Sequence, residues 1–133
     1  MTKMGMVAEK KKPKKSRRTD YQKLKDTLDN LFSYLIRKQA EFTCEYCGKS
    51  TGQMHCHHGV VGRRYINTRY EMDNCACVCV GCHNFLGDFK GQNTAFFTKR
   101  IGSDRYEQLE IMARSGRKVD LEEIKVRIKE LDG

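Results

Sequence analysis

The chain has 133 residues, with 26 lysines and arginines against 17 aspartates and glutamates, seven cysteines and four histidines. This length is typical of one small domain with a tail, since domains commonly hold roughly 100–150 residues.

No apolar stretch approaches the roughly 20 residues that cross a bilayer, which excludes a membrane-spanning protein and a membrane partner. The N-terminal region lacks the apolar run of about 7–15 residues that a secretory signal needs, so we expect a reducing, cytoplasmic location. In a reducing compartment, cysteines are more often metal ligands than partners in disulfide bonds.

The positive charge is concentrated in residues 1–18. This segment holds eight basic residues and one glutamate, a net of +7 out of the formal +9 of the whole chain. Within it, residues 9–18 (EKKKPKKSRR) have no apolar side chain to bury, so we expect a disordered tail. Such a tail binds nucleic-acid phosphates by releasing condensed counterions, although a purely solubilising tail has the same composition. The DNA-binding residues predicted here are Lys10, Lys11, Lys12, Lys14, Lys15, Arg17 and Arg18.

An amphipathic helix is predicted to follow the tail. Leucines recur at spacings of three and four between Leu24 and Leu35, which predicts a helix over residues 20–39 with Thr19 or Asp20 as its N-cap. We expect its apolar stripe to face the core.

Further helices are predicted near the C-terminus, within residues 92–131. Ser103 can cap a helix that ends at about Arg114, and Asp120 with Glu123 forms a capping box for the last one. These helices are expected to cover the middle of the chain.

All seven cysteines and all four histidines lie within residues 44–83. Two C-x-x-C pairs, separated by 31 residues, supply four thiolates, which predicts a closed tetrahedral Zn²⁺ site that stabilises the fold. A redox C-x-x-C needs a thioredoxin-like context that is absent from the sequence pattern. Cys75 and Cys77 are expected to be small buried residues, although Cys77 can replace Cys79 as a ligand on spacing alone. The predicted zinc ligands are Cys44, Cys47, Cys79 and Cys82.

Histidines and one asparagine form a second pattern beside the cysteines. His57 and His58 are adjacent at the end of a predicted strand, Asn74 follows 16 residues after His58, and His83 directly follows Cys82. A zinc knuckle needs none of these residues. If Cys79 and Cys82 bind zinc at the start of a helix, His83 lies on another side of that helix and is free to serve a second metal centre.

These motifs resemble the HNH endonuclease family, whose ββα-metal motif combines paired histidines, an asparagine and a closing histidine within cysteine pairs. The matching text is CEYC, HH, N and CVGCH, and Asn74 precedes Cys79 by five residues, as in the family's ending. A looser likeness over residues 28–112 is to phage recombination nucleases of the NinG/Rap type. The resemblance implies an α+β fold in residues 19–133, with a treble-clef-like ββα-metal core over 44–90, and location in the host cell if the chain is phage-encoded.

The resemblance also implies an activity and a role for each residue. His57 and His83 would hold a catalytic divalent cation, His58 would be the general base, and Asn74 would orient the imidazole of His58. The expected reaction is hydrolysis of DNA phosphodiester bonds, in phage-type recombination or processing. Mg²⁺, Mn²⁺, Ni²⁺ and Zn²⁺ are the candidate cations, since imidazole favours the transition metals whereas Mg²⁺ prefers oxygen.

Alternatives to these roles stay open. His55 alternates with His57, so a shift in register would make His55 a ligand, and His57 and His58 can exchange roles. Gly59 with Val60 departs from the family's usual strand ending.

Three arginines follow the histidines in the sequence. Arg63, Arg64 and Arg69 lie in the connection after the histidines, and guanidinium groups match phosphate geometry, which makes them candidates for holding the DNA backbone. No base-reading array stands out, so branched or nicked DNA is the expected substrate, bound by a monomer or a homodimer. The competing functions are a noncatalytic zinc module that binds nucleic acid and a structural or interaction protein.

Overall fold

A computed structural model describes residues 18–132 of the chain. Its helices and strands confirm the predicted α+β class. They follow in the order α1 (Asp20–Gln39), β1 (Met54–His58), α2 (Ile66–Arg69), a 3₁₀ turn (Met72–Asn74), β2 (Cys75–Cys79), α3 (Val80–Asp88), α4 (Lys90–Ile101), α5 (Ser103–Arg114) and α6 (Leu121–Asp132). None of the helices in this described part is both long and apolar enough to cross a membrane.

Helix α1 has the bounds predicted from its leucine spacing. Thr19 is the N-cap, and it forms a complete capping box with Gln22. The predicted cap of α5 is wrong, because Gly102 with φ 90° precedes the helix and Ser103 is already its first residue. At α6, the Asp120 carboxylate accepts a hydrogen bond from the backbone N–H of Glu122 at 3.0 Å.

The basic tail lies almost wholly outside the described residues. This applies to the predicted DNA-binding residues Lys10, Lys11, Lys12, Lys14, Lys15 and Arg17. Arg18 is described, and its exposed guanidinium forms an ion pair with Asp26 of α1.

The two strands form an antiparallel pair whose register decides which histidines share a face. His57 pairs with Ala76 and His58 with Cys75. Because side chains alternate along a strand, adjacent His57 and His58 point to opposite faces of the sheet. Helix α1 covers the His58 face, where the ring centroid of Phe32 lies 6.2 Å from that of His58.

Helices α3 and α4 cover the other face of the sheet. Phe97 of α4 is fully buried there, with its ring centroid 5.7 Å from that of His57. Gly59 follows directly after β1, and a Cβ at this position would lie 1.9 Å from Cε2 of Phe97. Phe97 therefore packs against the bare backbone of Gly59, which leaves no room for a side chain at this position.

Candidate metal and phosphate site

Four thiols from two separate parts of the chain meet beside the sheet. In this cysteine cluster (Cys44, Cys47, Cys79 and Cys82), all four sulfur atoms lie within 4.8 Å of one another. The Sγ atoms of Cys47 and Cys79 are 3.9 Å apart. The cluster can hold a structural metal such as zinc, because four cysteine ligands in a closed arrangement are typical of structural zinc sites. Cys79, not Cys77, is the member from β2.

The cysteine cluster is supported by backbone hydrogen bonds to sulfur. The N–H of Cys47 donates to Sγ of Cys44 and the N–H of Cys82 to Sγ of Cys79, each at 3.4 Å. Burial raises the pKa of the Cys44 thiol, but backbone N–H groups outweigh this and bring the pKa to about 7. The polypeptide thus stabilises a thiolate at Cys44, which is the form that binds metal.

Cys75 and Cys77 are fully buried, as predicted. The N–H of Cys77 donates to the carboxylate of Glu45 at 2.8 Å, and the carbonyl of Cys77 accepts from the N–H of Glu45. The loop that carries Cys44 and Cys47 is therefore tied to the outer edge of β2.

Three imidazoles converge on the opposite side of the sheet from α1. We call His55, His57 and His83 the imidazole cluster. The Nδ1 atoms of His55 and His83 are 2.8 Å apart, and the ring centroids of His57 and His83 are 4.9 Å apart. His83 thus has its nitrogen contact with His55, whereas the prediction paired it with His57. The alternative in which His55 is a ligand accounts for this geometry.

The pKa values of two rings in the imidazole cluster are lowered. Burial lowers the pKa of His57, against a smaller opposing effect of its hydrogen bond to Asn93. Burial also lowers the pKa of His83, and repulsion from His57 and His55 adds to it. Both rings are therefore neutral at pH 7, as metal-binding imidazoles must be.

Asn93 of α4 holds His57 in place, and the sequence carries no motif that would have singled it out. Its Oδ1 accepts a hydrogen bond from Nε2 of His57 at 2.8 Å, and its Nδ2 donates to the carbonyl of Gly59 at 2.7 Å. Because an amide oxygen can only accept, Nε2 of His57 carries the proton and Nδ1 keeps the free lone pair.

His58 lies on the other face of β1, apart from His57. Its Nε2–H donates to the carbonyl of Arg69 at 3.0 Å, while Nδ1 is buried with no hydrogen-bond partner. Nδ1 is therefore the nitrogen that carries the free lone pair. Burial lowers the pKa of His58 to about 4, although its hydrogen bond to Arg69 opposes the shift. The ring is neutral at pH 7.

Asn74 does not orient His58 in this structure, which corrects that prediction. Its amide is fully buried and bonds to both backbone groups of Val61, at 2.7 and 2.8 Å, and to the carbonyl of Thr68 at 3.2 Å. Asn74 thereby closes the loop between β1 and β2, which sets the path of the chain that follows His58.

The three candidate arginines have different surroundings. The guanidinium of Arg69 forms two hydrogen bonds to the Asp29 carboxylate, at 2.8 and 2.7 Å, and its side chain is 11% exposed. Its guanidinium is thus engaged by Asp29 and leaves little surface for a phosphate. Arg64 stacks on Tyr65, with 4.8 Å to the ring centroid. Arg63 is exposed, and its contact with Asp29 is a long one of 3.3 Å.

One cavity brings several of these groups to a common space. It has a volume of about 380 Å³ and lies against α1. His55 and His83 border it, and so do His58 and Arg63. Since β1 pairs with β2 alone within residues 18–132, the cavity reaches round the free edge of β1 and is open to both faces of the strand. We call it the strand-edge cavity.

Comparison of the chain with protein-family models, with curated proteins and with solved structures gives no match.

Proposed function

We propose that the chain is a metal-dependent DNA endonuclease of the HNH type, with a ββα-metal core. The observation that carries the proposal is the pair of Nδ1 atoms of His55 and His83, 2.8 Å apart, at the wall of a cavity that Arg63 also borders. A cation site next to a guanidinium is the arrangement that phosphoryl chemistry requires.

The imidazole cluster fits a divalent cation. Two nitrogens bound to one cation at about 2.0–2.1 Å lie about 2.9 Å apart for a right angle between them. The observed separation of 2.8 Å is close to this value. His57 stands beside the pair with its Nδ1 lone pair free, because Asn93 occupies Nε2. We therefore propose His55 and His83 as the first two cation ligands, and His57, whose ring centroid lies 4.9 Å from that of His83, as a third ligand that moves closer when the cation binds.

Each side chain around the strand-edge cavity has a distinct task in this proposal. A bound cation would stabilise the negative charge that develops on the phosphate and on the leaving oxygen. Arg63 would bind a non-bridging phosphate oxygen, since its guanidinium is exposed and weakly engaged. The hydrogen bonds that join Asp29 to Arg69 and Tyr70 would keep the loop that carries Arg63 in position.

His58 is the proposed general base, acting from the other wall of the cavity. Its ring is neutral at pH 7, and because Nε2 carries the proton that is donated to the Arg69 carbonyl in the free protein, Nδ1 is the nitrogen that would accept the proton of the attacking water. Nδ1 is buried in the free protein, and the base therefore requires the ring to turn toward the cavity when DNA binds.

The test is cleavage of supercoiled plasmid by the purified full chain with Mg²⁺, Mn²⁺, Ni²⁺ or Zn²⁺. We expect nicking by the parent, loss of nicking in His55→Ala and His83→Ala, and loss in His58→Ala with zinc content and DNA binding retained. Gln53→Ala, which also alters the cavity wall, is the matched control and should cut like the parent. Undiminished cutting by His55→Ala would refute the cation site, and undiminished cutting by His58→Ala would refute the base.

The burial of His58 Nδ1 favours one other function, a noncatalytic zinc module that binds nucleic acid. That protein would bind DNA with the affinity of the parent in every histidine variant and would cut with none of the cations.

A further inference from the structure

Three potential metal ligands that the proposed nuclease mechanism does not use as ligands meet under α1. They are Cys56 and His58 of β1 and Cys75 of β2, which we call the mixed cluster. Their ligand atoms all lie within 4.8 Å of one another, the same distance within which the cysteine cluster gathers its four sulfurs. The cysteine cluster and the mixed cluster are the two groups in the described part of the chain in which three or more potential metal ligands lie this close together.

The strand register explains why the mixed cluster forms. His58 pairs with Cys75 across the two strands, and Cys56 is two residues before His58, on the same face. All three side chains therefore leave the sheet on the side of α1. Cys75 is fully buried, and Cys56 is partly exposed and borders the strand-edge cavity.

His58 is already prepared as a ligand. Its Nε2–H donates to the backbone carbonyl of Arg69, which leaves the lone pair on Nδ1, and Nδ1 is buried without a hydrogen-bond partner. A backbone carbonyl on the far nitrogen is the support that metal-binding histidines have in proteins. A buried imidazole nitrogen without a partner is otherwise costly, because nothing replaces the water it has lost.

We propose that Cys56, His58 and Cys75 bind a thiophilic divalent cation such as Zn²⁺, separately from the cysteine cluster. Binding converts the two thiols to thiolates and releases two protons to solvent, while the imidazole binds as the neutral ring. The two thiolates balance the charge of the cation, so the complex is neutral and can be buried under α1. Cys56 and His58 border the strand-edge cavity, which gives the cation a path of entry. A water from the cavity would complete the coordination.

The experiment counts thiolates bound to Cd²⁺ in the full chain. Folded protein whose bound metal has been exchanged for Cd²⁺ is titrated with further Cd²⁺, and the sulfur-to-metal charge-transfer absorption is followed, since a cation on the imidazole cluster contributes nothing to it. The cysteine cluster accounts for four thiolates. We expect six in the parent, reached in two steps, and four in Cys56→Ser/Cys75→Ser. Cys77→Ala, which removes a buried cysteine outside both clusters, is the matched control and should keep six.

If Cys56→Ser/Cys75→Ser does not fold, the thiolate count of the parent alone decides the outcome. A signal that stops at four thiolates in folded parent would overturn the proposal, and so would a count of six that survives in folded Cys56→Ser/Cys75→Ser. As a second variant, His58→Gln should keep its secondary structure and bind the second Cd²⁺ at least tenfold more weakly. Equal affinity would remove His58 from the site.

Occupancy of the mixed cluster would also control cleavage, and this consequence rests on the proposed function. A cation on Nδ1 of His58 takes the lone pair that the general base uses. A second equivalent of Zn²⁺ should therefore inhibit Mn²⁺-dependent nicking by the parent and not that by Cys56→Ser/Cys75→Ser. If the protein does not cut DNA at all, the thiolate count still tests the metal site, so the two proposals fail separately.

Discussion

Asn93 accepts a hydrogen bond from Nε2 of His57 and, through the other atom of the same amide, donates one to the carbonyl of Gly59. The amide thus fixes both the tautomer of His57 and the end of its strand. Asn93→Ala should weaken binding of Mn²⁺ to the imidazole cluster by about 10–100-fold and lower the free energy of unfolding by about 1–3 kcal/mol. Calorimetric titration and urea unfolding measure the two effects. Asn84→Ala, at an exposed position of α3, should leave both quantities unchanged, and equal behaviour of the two variants would contradict the role of Asn93.

Gly59→Ala should destabilise the protein because the added methyl group collides with Phe97. Overpacking of this kind costs about 1–3 kcal/mol. Gly62→Ala is the matched control, since a Cβ there meets nothing within 4 Å. Phe97→Leu should lower the free energy of unfolding by less in the Gly59→Ala background than in the parent. A double-mutant cycle in urea would detect this difference. Strictly additive losses would show that the two residues do not oppose each other.

Cys79→Ser should remove the structural metal, the fold and the proposed nuclease activity together. Structural zinc sites contribute about 10–16 kcal/mol of binding free energy, which exceeds the stability of about 5–15 kcal/mol typical of a domain. Metal analysis and far-ultraviolet circular dichroism of the purified protein are the measurements. Cys77→Ala should keep both zinc and helix content. A folded, zinc-containing Cys79→Ser protein would show that the cysteine cluster is not a structural metal site.

Asp29→Asn should cost about 1–3 kcal/mol at pH 7, because the carboxylate accepts hydrogen bonds from Arg69 and Tyr70. Burial raises the pKa of Asp29, but these two partners lower it by more, so the folded pKa lies below the ordinary 3.8. The stability from this carboxylate is present above the unfolded pKa and is lost only as the pH falls through the lower folded value. The difference between Asp29→Asn and parent in urea should therefore stay constant from pH 6 to 8. Asp26→Asn, in an exposed ion pair on the same helix, should change stability by less than about 0.5 kcal/mol.

Deletion of residues 1–18 should flatten the salt dependence of DNA binding while leaving the cleavage rate at saturating DNA unchanged. Each phosphate neutralised contributes about 0.9 to the slope of log affinity against log salt, so the eight basic residues of the tail account for up to about 7. Fluorescence anisotropy at several salt concentrations measures the slope. A variant without Lys125 and Lys129 of α6 controls for loss of positive charge elsewhere. An unchanged slope after deletion would reject the tail as a DNA-binding segment.

Local patterns in the sequence were sufficient for α1 and for the cysteine cluster. The leucine spacing and Thr19 specify α1, because helix periodicity and capping depend on neighbours three or four residues away. The two C-x-x-C pairs indicate one tetrahedral site, because each pair presents two thiols to one ion and a tetrahedral zinc site needs four.

The partners of the histidines and arginines could not be obtained in this way. Arg69 looked like a phosphate ligand until its pairing with Asp29, 40 residues earlier, was known. The sequence places His57 next to His58, yet the pleat of β1 sends the two rings to opposite faces, each with its own long-range hydrogen bond.

The sequence by itself determined the element types, the basic tail and the four thiols of the cysteine cluster, since all of these are set by residue chemistry at short spacing. The tertiary structure alone decided that His83 meets His55, that Asn93 holds His57, and that Cys56 and Cys75 gather around His58. The physical reason is that such contacts depend on strand register and on how α1 and α4 pack against the two faces of the sheet, and both are properties of the whole folded chain.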